Sequence, residues 1–231
     1  SGPKRFSLLA SVPLPYAEEA SAEIEYAVNE LGAVGVVIAA NVEGTNLGEI
    51  DLDAFWKTVT DLDVGVFIHP VQAQPSPRSA KFALSQVAQY TVDTTFTVGS
   101  LIGAGVLDRF PELRILLSHG GGTLPYLAGR FDCMFERMDR KAQGYIGQKS
   151  PTDYLQRFYY DTILHDPAIL RWLATRVPVE RIALGSDYSF PPADLDPVNS
   201  IKAAGFSETE LTSIFEQNPR NLFPQLREIL G

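Results

Sequence analysis

Short apolar runs and longer stretches of helical spacing take turns along this chain. Arg5 to Val12 reads as a strand stopped by Pro13 to Pro15, and Ala17 to Leu31 has helical spacing with a Gly32 stop. Gly35 to Ala40 predicts a second strand, ending in the polar loop Asn41 to Asn46. Leu52 to Leu62 predicts a helix with Phe55, Val59 and Leu62 on one face. Val64 to Ile68 predicts a strand, and His69-Pro70 opens a Pro- and Ser-rich loop to about Ser79. Phe82 to Val92 and Asp93 to Leu107 read as helices, the second N-capped by Asp93. Arg114 to Leu117 is apolar and strand-like, and Leu124 to Met138 is helical after it. Lys141 to Pro151 is a polar connection, Phe158 to Ile163 a strand, and Pro167 to Arg176 a helix. Arg181 to Leu184 is the last strand. Ser207 to Gln217 is a helix opening with the capping pattern Ser207-Glu208-Thr209-Glu210, and Asn218 to Leu230 is a tail helix interrupted by prolines.

Strands alternating with helices imply a parallel sheet with right-handed crossovers, and hence an α/β fold. In such a sheet both strand faces are covered, which explains runs such as Ile115 to Leu117 that are apolar throughout. Three strands end in chemistry-bearing residues. Val64 to Ile68 runs into His69, Ile115 to Leu117 into Ser118-His119-Gly120-Gly121-Gly122, and Ile182 to Leu184 into Gly185-Ser186-Asp187-Tyr188. The carboxyl ends of parallel strands are where α/β enzymes keep their sites. The three ends therefore predict one site assembled from distant parts of the chain.

Composition narrows the partners. A formal net charge of -9 disfavours nucleic acid and anionic membrane surfaces. No apolar run is long enough to span a bilayer. Cys133 is the sole cysteine, so no intrachain disulfide forms, which suits a reducing cytoplasm. It reads as a plain helix-face residue.

The order of motifs resembles a known family. His69-Pro70, Asp93-Thr94-Thr95, Ser118 to Gly122, Leu124-Pro125-Tyr126-Leu127-Ala128-Gly129-Arg130, Phe158 to Thr162 and Gly185 to Tyr188 are similar to the amidohydrolase-2 branch of the amidohydrolase superfamily. This is the branch of the aminocarboxymuconate-semialdehyde decarboxylases. The resemblance implies a (β/α)8 TIM-barrel fold with one divalent metal, zinc being the first expectation. It implies His69 and Asp187 as metal ligands, His119 with Asp187 as catalytic residues, and Arg130 as the grip on a substrate carboxylate. In some members that arginine reaches across a dimer interface, so a homodimer is expected.

The chain also departs from the family. The first strand of the family supplies a His-x-His pair, whereas here the only histidines are His69, His119 and His165. Residues 1–231 are accordingly expected to be a single barrel domain lacking the first two βα units, with strands three to eight present. Two metal ligands are expected from the missing segment. The family's aromatic residue after the strand-five histidine is also absent from Gln72 to Ser79.

Simpler readings stand beside these. His69 could be structural, His119 could cap the following helix, and Asp187 could be a turn or N-cap residue. Arg130 could be solvated or pair with Asp132 or Glu136. His165 reads as a helix-capping or supporting residue, and Asp161 as a support for the site. The function expected is non-oxidative decarboxylation of a small cyclic or unsaturated carboxylic acid. In that scheme the metal holds the substrate and a water, and His119 moves a proton to carbon. The alternatives are hydrolysis of a lactone or related ring, or hydration, by a metal-activated water. From another class comes an inactive barrel fragment that binds a ligand without turnover.

Overall fold

Each apolar run pairs with the next one along the chain, and every such pairing is parallel. The computed structural model describes residues 5–71 and 76–227. β1 (Leu9–Ser11) is followed by α1 (Ala17–Leu31) and β2 (Gly35–Ala39), then by a hairpin of β3 (Asn41–Val42) and β4 (Thr45–Asn46) where a polar loop was expected. α2 (Asp53–Asp61) leads to β5 (Gly65–His69), and α3 (Tyr90–Gly103) with α4 (Val106–Arg109) leads to β6 (Arg114–Leu117). α5 (Leu124–Arg137) and α6 (Pro151–Leu155) precede β7 (Tyr159–Asp161), and α7 (Pro167–Leu173) precedes β8 (Ile182–Ala183). α8 (Pro197–Ala203), α9 (Glu208–Thr212) and α10 (Asn218–Leu222) follow.

The main sheet runs β1-β2-β5-β6-β7-β8, six strands in chain order. Among the described residues β1 and β8 each keep one unpaired edge, so the sheet is a barrel wall two strands short of eight. Its two faces differ because successive side chains point opposite ways. Val36, Ile38, Val66, Ile68, Ile115, Leu117 and Ile182 are buried in the main core with the helices. Val37, Ala39, Phe67 and Leu116 point the other way, are only half-buried, and line an open cavity of about 760 Å³. Leu222 and Phe223 cover the amino ends of the strands. A side chain at Gly35 or Gly65 would meet the Phe223 ring at 2.7 Å, so both strands must start with glycine. Burying an aromatic of that size stabilises by about 2 kcal/mol.

Several local signals work as read. α1 ends on Gly32 in the left-handed region, and Ser207 with Glu210 forms a reciprocal capping box at α9. Asp93 does not cap a helix. A π-helical turn at Ser85–Gln89 runs directly into α3, leaving Asp93 inside the helix, and the break falls at Ala104-Gly105 instead. The loop after β5 includes residues 72–75, which lie outside the described residues.

Candidate metal and catalytic centre

Three strand ends converge. His69 is the last residue of β5, His119 lies two residues past β6, and Asp187 lies four past β8. His69 Nε2 is 3.1 Å from Asp187 Oδ1, and His119 Nε2 is 3.5 Å from Asp187 Oδ2. The two imidazole rings meet edge-on with centroids 5.3 Å apart. One ligand atom from each of the three residues lies within 4.8 Å of the other two. These side chains are 18%, 13% and 7% exposed, so the cluster is largely withdrawn from water yet reachable.

The backbone at the cluster is unusual. His119 has φ +54° and Asp187 φ +55°, a region that non-glycine residues rarely occupy and that persists only where surroundings enforce it. β7 supplies much of the enforcement. The buried Asp161 carboxylate accepts from Gly120 N–H at 2.9 Å and Ile163 N–H at 3.0 Å, pinning the turn that carries His119. Burial pushes the Asp161 carboxyl above the ordinary carboxylate range, while the nearby His119 and the backbone donors pull it the other way. Just past the end of β7, Thr162 Oγ1 accepts from Gly185 N–H at 3.2 Å, fixing the turn that leads to Asp187. Gly122 has φ +65°, and a Cβ there would lie 2.1 Å from Thr91 O. That close approach lets α3 touch the turn, where Thr95 Oγ1 accepts from Thr123 N–H at 2.9 Å.

Arg130 is not brought to this cluster within the chain. It sits exposed on α5 and lines neither cavity beside the histidines. Asp132, one of its two possible local partners, is engaged instead by Ser150 and Thr152. Cys133 is half-buried on α5, as a helix-face residue. His165 does not cap α7, because the neighbouring Asp166 does so by accepting from Ala168 N–H at 2.8 Å.

Phe190 escaped notice in the sequence. It stacks on His69 with centroids 5.5 Å apart and planes at 18°, so an aromatic reaches the histidine from the loop after β8. Its proximity to Asp187 in the chain was the only available signal. The cluster separates two spaces, the open cavity inside the sheet and a second of about 560 Å³ above the strand ends.

The family model described as Amidohydrolase matches residues 1–225. The chain belongs to the amidohydrolase family. Among curated relatives, 2-amino-3-carboxymuconate-6-semialdehyde decarboxylase of Dictyostelium discoideum is 32% identical over 220 residues, covering 94% of this chain and 60% of the relative. The 6-methylsalicylic acid decarboxylase of Penicillium expansum is 30% identical over 234 residues, covering 99% of this chain and 72% of the relative. A solved dihydroxybenzoic acid decarboxylase from Polaromonas, with bound manganese and the inhibitor 2-nitroresorcinol, superposes with a TM-score of 0.82 at 26% identity. That match covers 98% of this chain and 71% of the other. The chain thus spans about 60% of the length of the first of these relatives, and its six strands are part of the TIM barrel of amidohydrolases.

The donor set suits the divalent metal that such a site holds. Imidazole nitrogen and carboxylate oxygen together accept zinc or manganese. The spacing lets one ion reach His69 and Asp187 with little rearrangement. His119 differs in one respect. Its Nδ1 is buried with no hydrogen-bond partner among the described residues. A ligating histidine normally donates that N–H to an orienting acceptor.

Proposed function

We propose that this amidohydrolase is a metal-dependent non-oxidative decarboxylase of a small cyclic or unsaturated carboxylic acid. The observation that carries the reading is the convergence of His69, His119 and Asp187 on one point at the carboxyl ends of β5, β6 and β8. The decarboxylases among its relatives, acting on aromatic and muconate-type acids, support the same reaction class. His69 and Asp187 hold the divalent cation, zinc being our first assignment, and further ligands come from outside the six strands. A bound cation supplies positive charge that polarises substrate oxygens and lowers the pKa of water.

His119 acts as the proton carrier, consistent with an Nδ1 that no acceptor fixes. It delivers a proton to the carbon bearing the carboxylate. The C–C bond then breaks, CO2 leaves, and the bonding pair restores the unsaturated system. Asp187, 3.5 Å away, orients the imidazole and stabilises its charged form. Arg130 holds a carboxylate across a homodimer interface, in keeping with its exposed place on α5. We assign residues 1–231 to a single barrel domain. A reducing cytoplasm suits the lone Cys133.

The test is CO2 release by the full-length protein, loaded with Zn²⁺ or Mn²⁺, from a panel of hydroxybenzoates and muconate-type acids. Release abolished in His119→Ala supports the proposal. A metal-loaded protein that binds these acids and never releases CO2 sinks it and favours the binding fragment.

A further inference from the structure

The turn between β7 and α7 brings the third histidine of the chain to the same cavity as the other two. His165 has φ +56°, a conformation L-residues rarely adopt. It has no structural duty in exchange, since Asp166 performs the helix cap. Its side chain is exposed and makes no hydrogen bond or ion pair with the described residues. The cavity of about 560 Å³ above the strand ends is lined by His69, His119, Asp187 and His165, with Leu164 and Phe190 among its apolar residues. Among the described residues no lysine or arginine lines it, so the cationic candidates that these residues themselves offer there are the three histidines. Two of the three are committed to Asp187.

We infer that His165 is a specificity-determining residue that donates a hydrogen bond to a second oxygen substituent on the substrate, at the edge remote from the reacting carboxylate. The inference rests on the decarboxylase reading. A planar acid with its reacting end at His119 extends along the apolar residues, and His165 meets its far edge. A hydroxyl or carboxylate oxygen there gains a donor that an unsubstituted ring leaves unused. Sites built to hydrogen-bond such a group discriminate against analogues without it.

The experiment is equilibrium binding of two acids to the full-length protein loaded with Mn²⁺, followed by calorimetry. The probes are 2-hydroxybenzoate and 2,4-dihydroxybenzoate, which differ by the hydroxyl opposite the carboxylate. The protein should prefer the dihydroxy acid by about tenfold, the scale of one well-placed hydrogen bond. His165→Ala should erase that preference without changing affinity for 2-hydroxybenzoate or the melting temperature. His165→Gln, which keeps a donor, should restore part of it. Equal affinities in the unaltered protein, or a preference that survives in His165→Ala, overturns the inference and leaves the decarboxylase reading standing. Failure of both acids to bind overturns the inference as well, while the decarboxylase reading is decided separately by CO2 release from the wider panel.

Discussion

His69 and Asp187 lie 118 residues apart in the chain and 3.1 Å apart in space, Nε2 to Oδ1. No local turn or cap brings them together, because β5 and β8 are separated in the sheet by β6 and β7. Removing either side chain should therefore remove metal. In the full-length protein, His69→Ala and Asp187→Ala are expected to lower metal content by at least tenfold. His119→Ala should keep its metal and lose turnover by a factor of at least ~10². Elemental analysis beside a rate assay separates the two classes. Metal lost equally in all three variants would make His119 a ligand.

Asp161 should matter without touching metal. Its carboxylate holds two buried N–H groups, from Gly120 and Ile163. Asp161→Ala leaves both unsatisfied, which costs roughly 2–4 kcal/mol. Urea denaturation should show that loss as a lower midpoint, accompanied by reduced turnover. An unchanged midpoint would mean that the pinning of the His119 turn has been misassigned.

Gly122 tests the packing of that same turn. Alanine there must keep φ at +65° and place a Cβ 2.1 Å from Thr91 O, so the turn or α3 has to move. A loss of about 2 kcal/mol or more is expected, as for other strained backbone positions. Gly129→Ala on α5 is the control, since its added Cβ meets nothing within 4 Å. Melting temperatures of the two variants should differ by several degrees in that sense.

The α9 capping box carries a pH signature. The Ser207 backbone N–H bonded to Glu210 holds that carboxyl below its usual value of 4.5, with burial opposing and the Ser207 and Arg171 side chains assisting. A carboxyl depressed in the folded state contributes stability above its unfolded pKa. That contribution is lost as pH falls through the lower, folded value. The difference in denaturation midpoint between the unaltered protein and Glu210→Ala should hence be constant from pH 6 upward and shrink below about pH 4.5. A difference that stays constant at low pH would show that the side chain acts by packing.

What the sequence determined by itself was periodic or local. Apolar runs such as Val64 to Ile68 and Ile115 to Leu117 specify strands through burial on both faces. Gly32 and the Ser207-Glu210 pair specify helix ends through φ and through side-chain hydrogen bonds three residues away. The candidates His69, His119 and Asp187 were legible because each closes such a run. Only the tertiary structure decided how those ends meet. The stacking of Phe190 on His69, the hold of Asp161 on Gly120 and the cavity shared by His165 and His119 all join segments that have no sequence relation. Short elements such as α6 and α8 were likewise invisible, because helices of five and seven residues have little periodicity and form against neighbours. Asp93 shows the same limit from the other side. Its cap-like signal was overridden by a helix already running from Ser85, since packing decides where a helix starts when propensities are nearly equal.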